Sequence, residues 1–331
     1  MKAGEAVRNV TFAHALLPEG WAENVRITID DGVISAIETG VPGVAGKDIA
    51  LPGLASLHSH AFQRGMAGLA ETRGPAADSF WSWRQVMYRF LGALTADDVE
   101  AIAAQAYMEM LEGGFTAVGE FHYLHHALGG AVYANIAEHA ERTAAAADQT
   151  GIGLTLLPVY YAQGGFGGQA PTEGQKRFVN TLDAYARLHE ASRRAIAALP
   201  DANIGIAPHS LRAVTPENLG ALLAAHPAGP IHIHVAEQIP EVEASLKITG
   251  KRPVELLMDT IPLDKRWCLI HATHLTDAER DGIALSGAVA GLCPITESSL
   301  GDGIFDGIRY AQAGGAYGVG SDSNIQIDAG S

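Results

Sequence analysis

Cysteine is scarce in this chain. Only Cys268 and Cys293 occur in 331 residues, each inside an apolar run. That number excludes a disulfide scaffold and leaves two buried free thiols as the reading. Positive charge is also short: 22 Lys and Arg stand against 37 Asp and Glu, a net charge of −15. Such a balance argues against nucleic acid or an anionic membrane as a partner. It also means that an anionic substrate has to be met by a local group of Arg or Lys. No apolar run is long enough to span a bilayer, and residues 1–12 carry no signal-peptide core, so a cytoplasmic enzyme is expected. Neither a Gly-x-Gly-x-x-Gly after the first main strand nor a Walker-type phosphate loop is found, which weighs against nucleotide folds.

What is present is apolar mass and histidine. The chain is 47% hydrophobic and 18% charged, enough for one large domain or two modest ones. Fourteen histidines is a rich count for this length. Residues 6–50 read as short strands: residues 25–29 alternate apolar and polar, Asp31-Gly32 is a hairpin turn, and residues 33–37 return. We expect residues 1–50 to be part of a small β-sandwich domain. At Leu51-Pro52-Gly53 the pattern changes. Apolar runs near 52–58, 115–120, 152–160, 203–208, 230–235, 267–272, 288–293 and 316–321 suit buried parallel strands. Helical patterns lie between them. One follows Thr95 and stops at Gly113-Gly114; another repeats through Phe178, Leu182, Tyr185 and Leu188. Thr215-Pro216 starts a third, and Thr276 with Glu279 makes a capping box. Eight strands with helical crossovers predict an α/β fold, a (β/α)₈ barrel over residues 51–331, with a doubly wound open sheet as the alternative.

In such a barrel the chemistry sits at the C-terminal ends of the strands. Those positions hold His58 and His60, Glu120 to Tyr123, Tyr160 and Tyr161, His209, His232 and His234, His271, and Asp322. A lone strand-end histidine is usually structural; this repetition at one end is hard to obtain from packing alone. His58 and His60 are two apart in an extended run, so both imidazoles face one point. With His234 and Asp322 they make three imidazoles and a carboxylate, a first shell for a divalent metal that leaves a place for water. His232 shares the parity of His234, which is preferred for being nearer the open end. Glu237 lies close enough to His234 to shuttle a proton, and His271 can orient the water or polarise the substrate. The long insert at 61–95 carries Trp81, Trp83, Arg84, Tyr88 and Arg89. It either packs its aromatics on the barrel or covers the substrate and brings an Arg to it.

Taken together, these residues resemble the amidohydrolase superfamily: His58-x-His60, His234-Val-Ala-Glu237, His271 and Ser321-Asp322-Ser323. No lysine stands where binuclear members carry a metal-bridging one, so the mononuclear, deaminase-like branch is the nearer match. Longer stretches are similar to the N-formimino-L-glutamate deiminase family. They are His58-Ser-His-Ala-Phe-Gln-Arg-Gly-Met-Ala-Gly-Leu-Ala-Glu71, Phe80-Trp-Ser-Trp-Arg-Gln-Val-Met-Tyr-Arg89, Glu120-Phe-His-Tyr-Leu-His-His126, Ala207-Pro-His-Ser-Leu-Arg212, His232-Ile-His-Val-Ala-Glu-Gln238 and Leu300-Gly-Asp-Gly-Ile-Phe305.

This resemblance implies hydrolysis of N-formimino-L-glutamate to N-formyl-L-glutamate and ammonia, a step of histidine degradation, with one divalent ion, Zn²⁺ by preference. It implies His58, His60, His234 and Asp322 as metal ligands, and Glu237, His271 and Asp322 as the catalytic groups. Arg84 and Arg212 suit the two substrate carboxylates by bidentate geometry. Gln63, Tyr123 and His209 match further substrate-contact positions of the family. The implied partner is a small dianionic substrate, with no nucleic acid and no membrane. Dimers are common among enzymes of this fold, so a homodimer is an open expectation. Two alternatives stay open: a purine or pterin-type deaminase of the same branch, which would not need both Arg84 and Arg212, and an inactive zinc-binding fragment. The resemblance also implies a last barrel helix and closing strands of the small β-domain beyond Ser331. It has one departure within the motifs, Asn324, where many members carry His.

Overall fold

The structure, a computed structural model, describes residues 7–44, 46–69 and 80–325; for residues 80–82 only the backbone is described. The Trp81 side chain and Glu71 of the family-like motifs therefore lie outside the described residues. The chain divides into two compact units, Met1–Leu54 and Ala55–Ser331.

The first unit is one sheet. Strands β1 (Arg8–Leu17), β2 (Gly20–Asp30), β3 (Val33–Glu38) and β4 (Ile49–Ala50) lie in the order β3-β2-β1-β4. The first three are antiparallel and β4 runs parallel to β1. Asp31 (φ 49°) and Gly32 (φ 77°) both take the left-handed conformation that a tight two-residue hairpin turn requires. Ala15 and Val25 are buried, whereas every residue of β3 is exposed.

The second unit is a closed parallel barrel. Its strands are β5 (Leu54–Ser59), β6 (Phe115–His122), β7 (Gly153–Tyr160), a fourth strand broken at residues 205–206 into β8 (Asn203–Ile204) and β9 (Ala207–Pro208), then β10 (Ile231–Val235), β11 (Trp267–His271), β12 (Val289–Leu292) and β13 (Ala316–Val319). Two hydrogen-bonded paths, β5-β6-β7-β8 and β10-β11-β12-β13, make the two halves. Bridges Ile206 to Ile231 and Ser210 to His234 join them on one side, and Ser59 to Asp322 on the other. Closure removes the free edges of an open sheet, so the barrel rather than the doubly wound alternative is what this sequence builds.

The helices are α1 (Phe80–Leu91), α2 (Ala96–Glu112), α3 (Glu138–Thr150), α4 (Leu182–Ala195), α5 (Pro216–Ala225), α6 (Ile239–Thr249), α7 (Pro253–Thr260), α8 (Asp277–Ser286), α9 (Pro294–Leu300) and α10 (Gly307–Gln312). Their starts follow side-chain capping. Thr95 and Thr276 form capping boxes with Asp98 and Glu279, and Thr215 caps the helix that has Pro216 at its first position. Phe178 differs from the sequence expectation. Thr181 caps α4 and accepts the Ala184 amide at 3.2 Å, so the helix begins at Leu182 and Phe178 stays in the preceding loop. Its helical spacing to Leu182 was incidental.

The core lies between strands and helices. Phe121, Leu157, Val159, Ile233 and Leu269 are at most marginally exposed, and Tyr107, Met110, Val118 and Leu154 pack a second cluster with residues of α2 and α3. Burying each such side chain contributes about 1.5–3 kcal/mol. Both cysteines are buried free thiols. Among the described residues no helix is long and apolar enough to cross a membrane.

Candidate active site

Strand one and strand eight meet at the site itself. The Asp322 amide donates to the His58 carbonyl at 2.9 Å, and the His60 amide donates to the Asp322 carbonyl at 2.8 Å. This grip sets the Asp322 carboxylate beside both imidazoles. It requires a close backbone approach: a Cβ on Gly320 would lie 2.8 Å from the Cβ of His58. Asn324 adds a staple, because its side-chain amide donates to Ser59 Oγ at 3.2 Å and to the Asp322 carbonyl at 3.0 Å. Asn324 sits at φ 57°, a conformation that Asn tolerates well.

His58, His60, His234 and Asp322 are all buried and bring four donor atoms within 4.8 Å of one another. His58 Nε2 lies 3.1 Å from His60 Nε2 and 3.1 Å from His234 Nε2. Asp322 Oδ1 lies 3.2 Å from His58 Nε2 and 3.3 Å from His60 Nε2. Donors set tetrahedrally around a zinc-sized ion stand about 3.3 Å apart. The tautomers make the case for a cation stronger. His60 Nδ1 donates to the Phe121 carbonyl and His234 Nδ1 to the His209 carbonyl, each at 3.1 Å. Both Nε2 atoms therefore present lone pairs. One proton on His58 cannot satisfy three facing acceptors, whereas a divalent cation satisfies all of them.

The protonation states agree. Burial, reinforced by His60, pushes His58 down to about 3, and burial also lowers His60 and His234. Burial works against the Asp322 anion, but the His58 hydrogen bond and the nearby His60 and His271 rings outweigh it and hold the carboxyl below its usual range. Neutral imidazoles and an ionised carboxylate are the states a metal needs.

Beside this group stand His271 and Glu237. His271 Nε2 lies 3.8 Å from Glu237 Oε1, and His271 Nδ1 donates to Glu297 Oε1 at 3.2 Å. Glu297 also accepts the Cys293 amide at 2.8 Å, which fixes its carboxylate. Burial opposes a charge on His271, but Glu237 and Glu297 outweigh it and push the imidazole up to about 10. Burial raises Glu237, with His271 and Arg212 pulling the other way. The backbone is strained here: Ala236 (φ 52°), His271 (φ 67°), Ala272 (φ 47°) and Asp322 (φ 54°) are non-glycine residues in the left-handed region. Such strain gathers where side chains have to be turned into a site.

One pocket takes in both this group and a second wall. Its lining includes His60, His234, Glu237, His271 and Asp322, together with Gln63, Arg84, Tyr123, His209 and Arg212. His58 lies beneath it, fully buried. The residues expected as metal ligands, catalytic groups and substrate contacts are thus brought to one place. Gln63 Nε2 donates to Tyr123 Oη at 2.5 Å. Arg84 stands over the Tyr88 ring, 5.2 Å from its centre. His209 is held well below its usual range by burial and by Arg212, so it is neutral beside that cation. Two guanidiniums and a metal-type donor group on the lining of one pocket suit a ligand that carries anionic groups as well as a reacting carbon.

Some strand-end residues stay out of the pocket. Glu120 turns away to accept the Ala61 amide at 2.9 Å, and burial pushes its carboxyl up to about 7. His122 and His232 are buried elsewhere, and Arg89 faces solvent. Sequence reasoning missed Met87, Phe178, Thr296, Leu300 and Ser323 on the pocket wall, and Glu297 behind His271. The only available signal for Glu297 was its position after Cys293-Pro294 at the end of strand seven, and a carboxylate in the first turn of a short helix is common.

Residues 49–331 match the family model described as "Amidohydrolase family", and residues 9–48 match "Formimidoylglutamate deiminase HutF, N-terminal domain". The chain is 50% identical over 318 residues to a formimidoylglutamate deiminase of Pseudomonas aeruginosa, covering 95% of this chain and 70% of the relative. It is 27% identical to a 5-methylthioadenosine/S-adenosylhomocysteine deaminase of Haloarcula marismortui, covering 96% and 70%. The crystal structure of an amidohydrolase from Brucella melitensis superposes with a TM-score of 0.93 at 55% identity, covering 97% of this chain and 72% of that one. A zinc-bound adenosine deaminase from Xanthomonas campestris shares the fold, with a TM-score of 0.76 at 21% identity, covering 97% and 70%.

Proposed function

The chain belongs to the amidohydrolase family, and we propose that its pocket hydrolyses N-formimino-L-glutamate to N-formyl-L-glutamate and ammonia, a deimination in histidine degradation. It is a hydrolase of carbon–nitrogen bonds. The observation that carries the substrate is the pairing of Arg84 and Arg212 with the donor group in one pocket, alongside half-identity to a formimidoylglutamate deiminase. A dianionic open-chain amidine needs both ends. A neutral purine needs neither arginine.

His58, His60, His234 and Asp322 would hold one divalent cation. Imidazole with carboxylate favours zinc. When bound, that cation lowers the pKa of water so that a nucleophile forms near neutral pH. The protein's own groups do the rest. Arg84 and Arg212 take the substrate carboxylates in charge-assisted hydrogen bonds and fix the formimino carbon beside Asp322. Gln63, Tyr123 and His209 line the path between the two ends. Asp322 takes the proton of the attacking water. His271, oriented by Glu297, donates from Nε2 to the water oxygen and holds it in line. Glu237, whose carboxyl burial pushes up, delivers a proton to the nitrogen that leaves. Water adds to the formimino carbon with one proton passing to Asp322 and one from Glu237 to the terminal nitrogen; as that C–N bond breaks, Asp322 passes its proton on to the nitrogen, the hydroxyl proton returns to Glu237, and ammonia leaves while the carbon keeps the oxygen.

The test is an ammonia-release assay on zinc-loaded protein, with N-formimino-L-glutamate beside guanine and adenosine. Turnover of the formimino compound alone is expected. Ammonia from a purine and none from the formimino compound would overturn the proposal. Zinc bound with no turnover of any of them would favour an inactive zinc-binding chain.

A further inference from the structure

Glu241 is buried, 4% exposed, in the first turn of α6. No step above uses it. Its two carboxylate oxygens face two different working parts of the pocket. Oε2 accepts the amide of Glu237 at 3.1 Å, and Oε1 lies 3.8 Å from Arg212 Nε. Glu237 directly follows Ala236, whose φ of 52° turns the chain out of β10. The Glu241 bond therefore holds the residue that has just been turned by a strained backbone. We propose that Glu241 is a positioning residue: it holds the Arg212 guanidinium ready for a substrate carboxylate and keeps it off Glu237, while fixing the Glu237 backbone. This rests on the reading of Arg212 as a substrate contact.

The physical argument is charge balance before substrate arrives. Arg212 is largely buried, with a side chain 15% exposed, and two carboxylates, Glu237 and Glu241, act on its charge. A buried cation that loses one counter-charge is left uncompensated, which favours contact with another anion within reach. With the Glu241 side chain beside it, Arg212 is balanced from the α6 side and Glu237 is left for proton transfer. Without that charge, Arg212 is drawn to Glu237. The substrate carboxylate then has to compete with Glu237 for the same donors. The consequence falls first on binding and only second on turnover.

Two variants separate the two oxygens. Glu241→Gln keeps an acceptor for the Glu237 amide and removes the charge facing Arg212. Glu241→Ala removes both. Each is measured beside Arg212→Met and the double variant, reading KM and kcat with N-formimino-L-glutamate, the calorimetric Kd of N-formyl-L-glutamate, and metal content. Glu241→Gln should raise KM and Kd about tenfold, with a smaller change in kcat and full metal content. In the Arg212→Met background the same change should move Kd less than about twofold, since the partner is gone. Glu241→Ala should lower kcat beyond Glu241→Gln. A purely structural role predicts wild-type KM and Kd for Glu241→Gln; that result, with Arg212→Met impaired, overturns the inference and leaves the Arg212 reading standing. Additive effects in the double variant overturn it as well. Wild-type KM and Kd for Arg212→Met remove the Arg212 reading and the inference with it.

Discussion

The two walls of the pocket are built in different ways. One is made by strand ends. His58, His60, His234, His271 and Asp322 lie on or just past β5, β10, β11 and β13, and ladder hydrogen bonds such as Asp322 amide to His58 carbonyl at 2.9 Å fix them. The other is made by loops and helices. Gln63 follows strand one, Arg84 and Tyr88 lie on α1, Phe178 lies in the loop before α4, and Arg212 follows strand four. The strand wall positions side chains through backbone register, so a small error in register would move every donor. The loop wall positions them through buried polar anchors. Arg177, for example, donates to the carbonyls of Leu91 and Leu94 at the end of α1 and to that of His126. One wall thus sets the chemistry and the other sets what is brought to it.

If that division holds, variants in the two walls should fail in different ways. The largest effect belongs to Asp322→Ala: bound metal should fall well below one equivalent and turnover should vanish, as read by elemental analysis and ammonia release. Full metal occupancy in this variant would take Asp322 out of the donor group. Next comes Glu237→Gln, which stays on the strand side but is not a ligand. It should keep its metal and lose about 10²- to 10⁴-fold in kcat. Collapse of metal content would make Glu237 a ligand and blur the division. In the loop wall, Arg212→Met should raise KM by about tenfold to a hundredfold, the worth of one charged hydrogen-bonding group, at unchanged metal content. A KM at the wild-type value would remove Arg212 from the clamp.

The smallest expected effect is on stability, and it concerns the support beneath the loop wall. His122 and His139 are pushed down to about 3, by burial first and then by His139 and Arg177 respectively. The unfolded chain protonates them near 6.5. Between about 6.5 and about 3 the unfolded state therefore binds more protons, so stability falls as pH falls through that window. Glu120 and Asp302, both pushed up by burial, act in the opposite sense, so the check is a difference: the change in melting temperature from pH 7 to pH 5, measured by calorimetry, should be less destabilising in His122→Asn than in the wild type. The same pH response in both proteins would mean that this ring is protonated in the fold as it is in the unfolded chain.

Legibility in the sequence followed the same division. Period-two parity and repetition at strand ends were enough to find the donor group, because register converts spacing directly into direction. The barrel was legible from its alternating runs for the same reason. Parts of the loop wall were not. Phe178 carried helical spacing yet faces the pocket from a loop, and Met87, Thr296 and Leu300 have no chemistry that marks them. Glu297 was invisible because its meaning depends on which histidine it faces. Glu120 shows the reverse error. It stood at a strand end as a candidate, and the fold uses it to satisfy the Ala61 amide. Asn324 departs from the family pattern, and its staple to Ser59 and Asp322 shows what an amide does at that position.

The most direct test is a crystal structure of the zinc-loaded protein with N-formyl-L-glutamate bound. The account predicts the ligand's carboxylates on Arg84 and Arg212, and its formyl carbon next to a single ion held by His58, His60, His234 and Asp322. A ligand bound the other way round, with a carboxylate at the ion and the formyl group toward the arginines, would contradict it.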